Sequence, residues 1–169
     1  RIFLLLTTSA NDILNAMKNS DAKTLKNAFL VDRSINKMTN FCGRHLLTKG
    51  LDNQKKTIYY YHFVRSFEAL ADQYSLMAVQ YSNDFKSFNK EILKTFEKMN
   101  KILQEFYELF YNFDKKRLNE LFLEIKSVEP HKLFAIKNTN YTIVYYLTMI
   151  HRRIKELIDS IIEINLVSG

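Results

Sequence analysis

Apolar side chains recur along this chain at alternating steps of three and four, the spacing that holds them on one stripe of an α-helix. The pattern predicts six helices. The first carries Ile2, Phe3, Leu6, Ala10, Ile13, Leu14 and Met17, with the weak helix formers Thr7, Thr8 and Ser9 marking a bend. Asn19, Ser20 and Asp21 offer caps to a second helix that runs to about Leu47, with Leu25, Phe29, Ile35, Met38 and Cys42 inward, before Lys49 and Gly50 end it. The third spans Tyr59 to Tyr81 on a seam of Phe63, Phe67, Leu70, Tyr74, Met77 and Tyr81; Ser82, Asn83 and Asp84 close it, and Asp84 reads as the cap of the next. The fourth is the most regular and is expected to be the central pillar: Phe85, Phe88, Ile92, Phe96, Met99, Leu103, Phe106, Phe110 and Phe113 cover about seven or eight turns. Leu118, Leu121, Phe122, Ile125 and Val128 mark the fifth, which stops at Pro130 because a residue before proline, here Glu129, is pushed out of the helical region. From about Tyr141 a sixth follows on Ile143, Leu147, Ile150, Ile154, Leu157, Ile161 and Ile164.

These segments fall into two matching sets. Asp21 to Leu30 (DAKTLKNAFL) matches Asp114 to Leu123 (DKKRLNELFL) at Asp, Lys, Leu, Phe and Leu, an offset of 93. Superposing the seams of the third and sixth helices sets Asp72 on Asp159, an offset of 87. An internal repeat of this kind predicts an all-α fold of two tandem three-helix bundles, divided as residues 1–83 and 84–169.

Composition supports that picture and narrows the chemistry. Three glycines and one proline among 169 residues leave few turn signals, and no alternating strand pattern competes with the helices. The longest apolar runs, such as Ile2 to Leu6, fall far short of the ~20 residues of a membrane span, so no membrane insertion is expected. A single cysteine, Cys42, rules out an internal disulfide and suits a reducing cytoplasm; on the core stripe it reads as a small apolar filler rather than a nucleophile. The net charge of +7 points toward an anionic partner, but Lys and Arg are spread over every helix without a block of five, which reads as a solvated basic surface. Arg1 stands where Met would, and apolar residues follow at once, so the chain reads as a fragment. No enzyme is expected. None of His45, His62, His131 and His151 has a Glu three residues before it, as a ferritin-like di-iron centre needs, and Gly43, Gly50 and Gly169 form no phosphate loop.

The acidic residues Glu68 and Asp72 stand one turn apart at the border of the third seam. If helices two and three are antiparallel neighbours, counting back from their connection sets Asp32 level with both. Three carboxylates at one level repel one another unless a cation sits between them or Arg33, Arg65 or Lys37 pairs with them, and the sequence leaves both arrangements open.

Phe67 to Ala78 (FEALADQYSLMA) resembles the helix-three signature of the PhoU phosphate-signalling regulators, of the type LERIGDHAVNIAE, with Glu68 and Asp72 on its two acids. Val31 to Met38 with Arg44 to Leu47 is similar to the helix-two motif of the archaeal form, and Asp159 to Asn165 (DSIIEIN) to its closing motif. The resemblance implies a cytoplasmic regulatory domain of phosphate uptake and transcription, working with a protein partner or as a homo-oligomer. It also implies a cation such as iron, zinc or magnesium on the acids, and DNA contact through a preceding AbrB-like domain. Two departures stand out. Gln73 replaces the histidine usual after the signature Asp. Lys155 takes the place of Glu68 in the second half, where it would pair with Asp159, so a second site would need Asp159 and Glu163 in a register shifted by one turn. The competing readings are a ligand-sensing or dimerising helical domain of an unrelated transcription regulator, its pocket lined from ten tyrosines and thirteen phenylalanines, and an interaction scaffold without a ligand.

Overall fold

The computed structural model describes residues 1–83, 89–137 and 139–166. Six α-helices run in chain order: α1 (Ile2–Asn19), α2 (Ala22–Thr48), α3 (Gln54–Ser82), α4 (Lys90–Tyr111), α5 (Lys115–Ser127) and α6 (Tyr141–Leu166), with a 3₁₀ helix at Pro130–Ala135 between the last two. The described residues contain no strand, and none of their helices is long and apolar enough to cross a membrane. The architecture is all-α, two three-helix bundles sharing one core.

Local chemistry sets the boundaries. Thr7 does not interrupt α1: its hydroxyl donates to the carbonyls of Phe3 (3.0 Å) and Leu4 (3.2 Å), inside the helix's own ladder. The helix ends where Ser20 turns left-handed (φ 55°) and Asp21 N–H returns to Ala16 O at 2.9 Å. Asp21 then caps α2 by accepting from the N–H groups of Lys23 and Thr24, and Asp114, its counterpart in the repeat, caps α5 by accepting from Arg117 N–H at 2.7 Å. Asn89 caps α4. The expected cap Asp84, with Phe85 and Phe88 of the proposed fourth seam, lies outside the described residues. Pro130 ends the helical path as expected, with Val128 and Glu129 leaving the α region before it opens the 3₁₀ turn.

In packing, α2 lies on α3, α3 on α6, and α1 on both α2 and α4, while α4 also touches α5 and α6; the pillar role expected of α4 is shared with the α3–α6 pair. The third and sixth seams are buried as predicted. The second is buried as predicted only at Leu25 and Ile35: Phe29 faces solvent, Met38 and Cys42 are half-buried, and the other inward positions are Ala28, Thr39, Gly43 and Leu46. α2 approaches α3 through small side chains, and a Cβ added at Gly43 would already meet the Tyr61 ring at 3.4 Å, so the bulky residues are turned out of a thin interface. Phe113 is likewise exposed, since α4 has ended at Tyr111.

Two clusters tie the bundles together. Phe3, Phe63, Phe67, Phe106 and Phe110 join α1, α3 and α4 in edge and stacked contacts, with Phe3 and Phe67 ring centroids 4.4 Å apart and Phe63 stacked on Phe110 at 5.0 Å. Deeper in, Tyr74 donates its hydroxyl hydrogen to Asn100 Oδ1 at 2.9 Å, and Asn100 Nδ2 donates to the Ala10 carbonyl at 2.8 Å. Burial pushes the Tyr74 hydroxyl far above its ordinary pKa, so it remains a donor. Phe106 is fully buried among these rings. Its replacement by Ala should cost about 3–5 kcal/mol in urea unfolding, and a cost near zero would show the ring is not packed.

Candidate functional site: the acidic face of α2 and α3

A tight loop makes α2 and α3 an antiparallel pair. Gly50 adopts a left-handed conformation (φ 66°), Leu51 N–H donates to Thr57 Oγ1 at 2.8 Å, and Asn53 caps α3 by accepting from Lys55 and Lys56 N–H. Asp32 and Glu68 stand eighteen residues before and after Gly50, so equal helical rises bring them to one level.

There the expected trio meets. Asp32, half-buried on α2, lies against the carboxyls of Asp72 and Glu68 on α3. Its own carboxyl is pushed up to about 6, first by burial, then by the Asp72 charge, a proton-sharing hydrogen bond with Asp72 and the Glu68 charge. With both aspartates ionised, Asp32 Oδ1 is buried without a donor; a proton or a cation would supply what it lacks. Asn36 donates to Asp32 Oδ2 at 3.4 Å and leaves its own Oδ1 buried and unsatisfied beside the acids. One turn further, Asn40 Oδ1 accepts from Arg65 at 3.2 Å, and Arg65 also forms an ion pair with Glu68. That ion pair serves Glu68 Oε2, which has no hydrogen bond of good geometry.

The site is therefore a polar ladder, Asp32, Asn36 and Asn40 on one helix against Asp72, Glu68 and Arg65 on the other. Of the three bases weighed for the acids, only Arg65 engages one, and Arg33 and Lys37 make no ion pair among the described residues. Asn36 and Asn40 escaped the sequence reading, although their step of four from Asp32 repeats that of Glu68 and Asp72. As arranged, no three His, Cys, Asp or Glu among the described residues stand at metal-ligand spacing. Asp159 and Glu163 lie exposed on α6, apart from this ladder. The Lys155 to Asp159 pair expected from the sequence does not form; the ion pairs of α6 run from Arg152 and Arg153 to Glu156 at 3.1 and 2.7 Å.

A raised carboxyl makes stability depend on pH. Between the ordinary value of 3.8 and about 6, the folded chain keeps a proton on Asp32 that the unfolded chain has released, so stability falls as pH rises through that window. In chelator-treated, metal-free protein, Asp32→Asn should stabilise the fold at pH 8 by on the order of 1 kcal/mol, reduced for partial solvent screening, and the gain should fade toward pH 4. Urea unfolding of both proteins at the two pH values measures it; the same difference at each would mean the carboxyl is not raised.

By sequence, the chain matches no family model and no curated protein. Its structure matches two solved ones. The phosphate transport system regulatory protein PhoU from Streptococcus pneumoniae superposes with a TM-score of 0.74 at 10% identity, over 97% of this chain and 89% of that one. PhoU from Pseudomonas aeruginosa does so with a TM-score of 0.66 at 19% identity, over 99% of this chain and 88% of that one. The likeness runs almost end to end, and it shows that this chain has the PhoU fold.

Proposed function

We propose that this chain is a regulatory domain of phosphate-uptake signalling, with a cation held between α2 and α3 setting its state. The observation that carries the reading is the coincidence of two features. The fold matches that of a phosphate transport system regulatory protein along nearly its whole length, and on that fold unsatisfied buried oxygens gather at the Asp32, Glu68 and Asp72 ladder.

Asp32, Asp72 and Glu68, with the Asn36 amide oxygen, would hold the ion. This oxygen-only donor set favours a hard cation such as magnesium, or iron bound by carboxylates, over zinc with its preference for nitrogen and sulfur. The bound charge would relieve the repulsion between Asp32 and Asp72. Asp32 and Glu68 would have to move to ligand spacing, with Arg65 releasing Glu68, so occupancy would change how tightly α2 and α3 are joined. In this reading Asp159 and Glu163 take no part, the domain performs no reaction of its own, and its partner is a regulatory protein or a second copy of the chain. Control of transcription would be exerted through a separate DNA-binding domain.

Metal content and thermal melting of protein purified without chelator test the cation. The native chain should carry metal and melt higher on adding magnesium or ferrous ion, and the Glu68→Ala, Asp72→Ala double variant should do neither; equal behaviour removes the cation. Phosphate uptake in source cells deleted for the gene tests the regulatory role separately. Uptake should lose its response to external phosphate, and an unchanged response ends the phosphate reading.

A further inference from the structure

On the first bundle, clear of the acidic ladder, two adjoining hollows of about 420 and 590 Å³ share Phe41, Cys42, Tyr60 and Val64 and so form one groove along α2 and α3. One end reaches the rings of Phe63, Phe67 and Phe110, and the other reaches Leu46 and Leu51 beside the connecting loop. Its floor is apolar and wet: Phe41 is 66% exposed, a large ring that solvent alone does not reward. The charged groups on its rim all have one sign. Arg1, Lys37 and Lys56 line it, no carboxylate does, and none of the three makes an ion pair among the described residues. Along α2 from Lys37 to Leu46 the groove runs for about 14 Å, the length of a helix of two to three turns.

We propose that this groove docks an amphipathic α-helix of a partner protein, with leucine or phenylalanine on its buried face and Asp or Glu along its flanks. Shape and charge select that occupant together. The groove is open to solvent along its length, so an anionic lipid would leave much of its acyl chain in water, whereas a helix buries one face and keeps the other wet. A second copy of this chain in a two-fold pair would set the same basic rim against itself, cation facing cation. An acidic flank instead meets three uncompensated cations, Arg1, Lys37 and Lys56, around an apolar seat, which gives both anchoring and register. The inference uses no residue of the ladder and rests on neither the cation nor the phosphate reading.

The test uses the intact chain and two synthetic peptides of about 16 residues with the same leucine stripe at helical spacing, one flanked by glutamates and the other by lysines. Calorimetry should show the glutamate peptide binding in the micromolar range and the lysine peptide not binding. Phe41→Glu, at an exposed position, should weaken binding at least tenfold with an unchanged circular dichroism spectrum. Lys37→Glu with Lys56→Glu should turn the preference toward the lysine peptide, an effect that loss of folding would not produce. No binding, equal binding of both peptides, or indifference to Phe41→Glu overturns the proposal. So does palmitate binding without peptide binding, or a dimer in sedimentation that Phe41→Glu dissociates, because each assigns the groove to another occupant.

Discussion

The hydrogen bonds from Tyr74 to Asn100 and from Asn100 to the Ala10 carbonyl are the constraint around which the rest of this molecule is set. Helices with apolar seams can slide or rotate past one another at small cost, but a buried hydroxyl and amide satisfied by one geometry permit one register. Leaving either unpaired costs about 1–3 kcal/mol. The bonds join α3, α4 and α1, so they also fasten the first triplet of helices to the second. Their reach extends to the far side of α3. Asp72 precedes Tyr74 by two residues, about 200° around the helix, so seating the tyrosine in the core turns the aspartate out toward α2.

On that outer side the interface is polar where most helix pairs are apolar. Only Glu68 of the three acids has a cationic partner, and Asp32 meets Asp72 with burial and like charge both opposing its ionisation. The aromatic core and the tyrosine network supply the stability that lets such an arrangement persist. A region held in place from elsewhere can tolerate local repulsion, and local repulsion is what makes a site answer to a proton or a cation.

The sequence announced most of this wherever large side chains do the packing. The seams of α3 and α6 are read off the spacing of Phe, Leu, Ile, Met and Tyr, and the repeated Asp21 and Asp114 are caps in the same place of each half. The level of Asp32 with Glu68 followed from helical rise and a short connection. The α2 seam was legible only at Leu25 and Ile35, for a physical reason: its other contacts include Ala28, Thr39 and Gly43, which carry little hydrophobic signal, while the conspicuous Phe29 points to water. Lys155 and Asp159 had the spacing of an ion pair, but Arg152 and Arg153 converge on Glu156 while Asp159 stays in solvent, a choice among rotamers that spacing does not encode. Asn36 and Asn40 gave no signal by residue type, and their part appears only when two helices face each other.

The short fifth helix carries a consequence for the molecule as a pair of halves. Where α2 runs 27 residues, α5 runs 13 and gives way to a 3₁₀ turn, and the repeat offset of 93 that carries Asp21 to Asp114 carries Asp32 to Ile125. Ile125 is buried, and its carbonyl lies 2.8 Å from His151 Nε2 of α6, so the place that holds a carboxylate in one half is closed by an apolar side chain in the other. The two halves share a plan but divide the labour. One seats an acid whose charge its neighbours oppose and the other an isoleucine, so a proton taken up at Asp32 has no counterpart at the matching place of the second half.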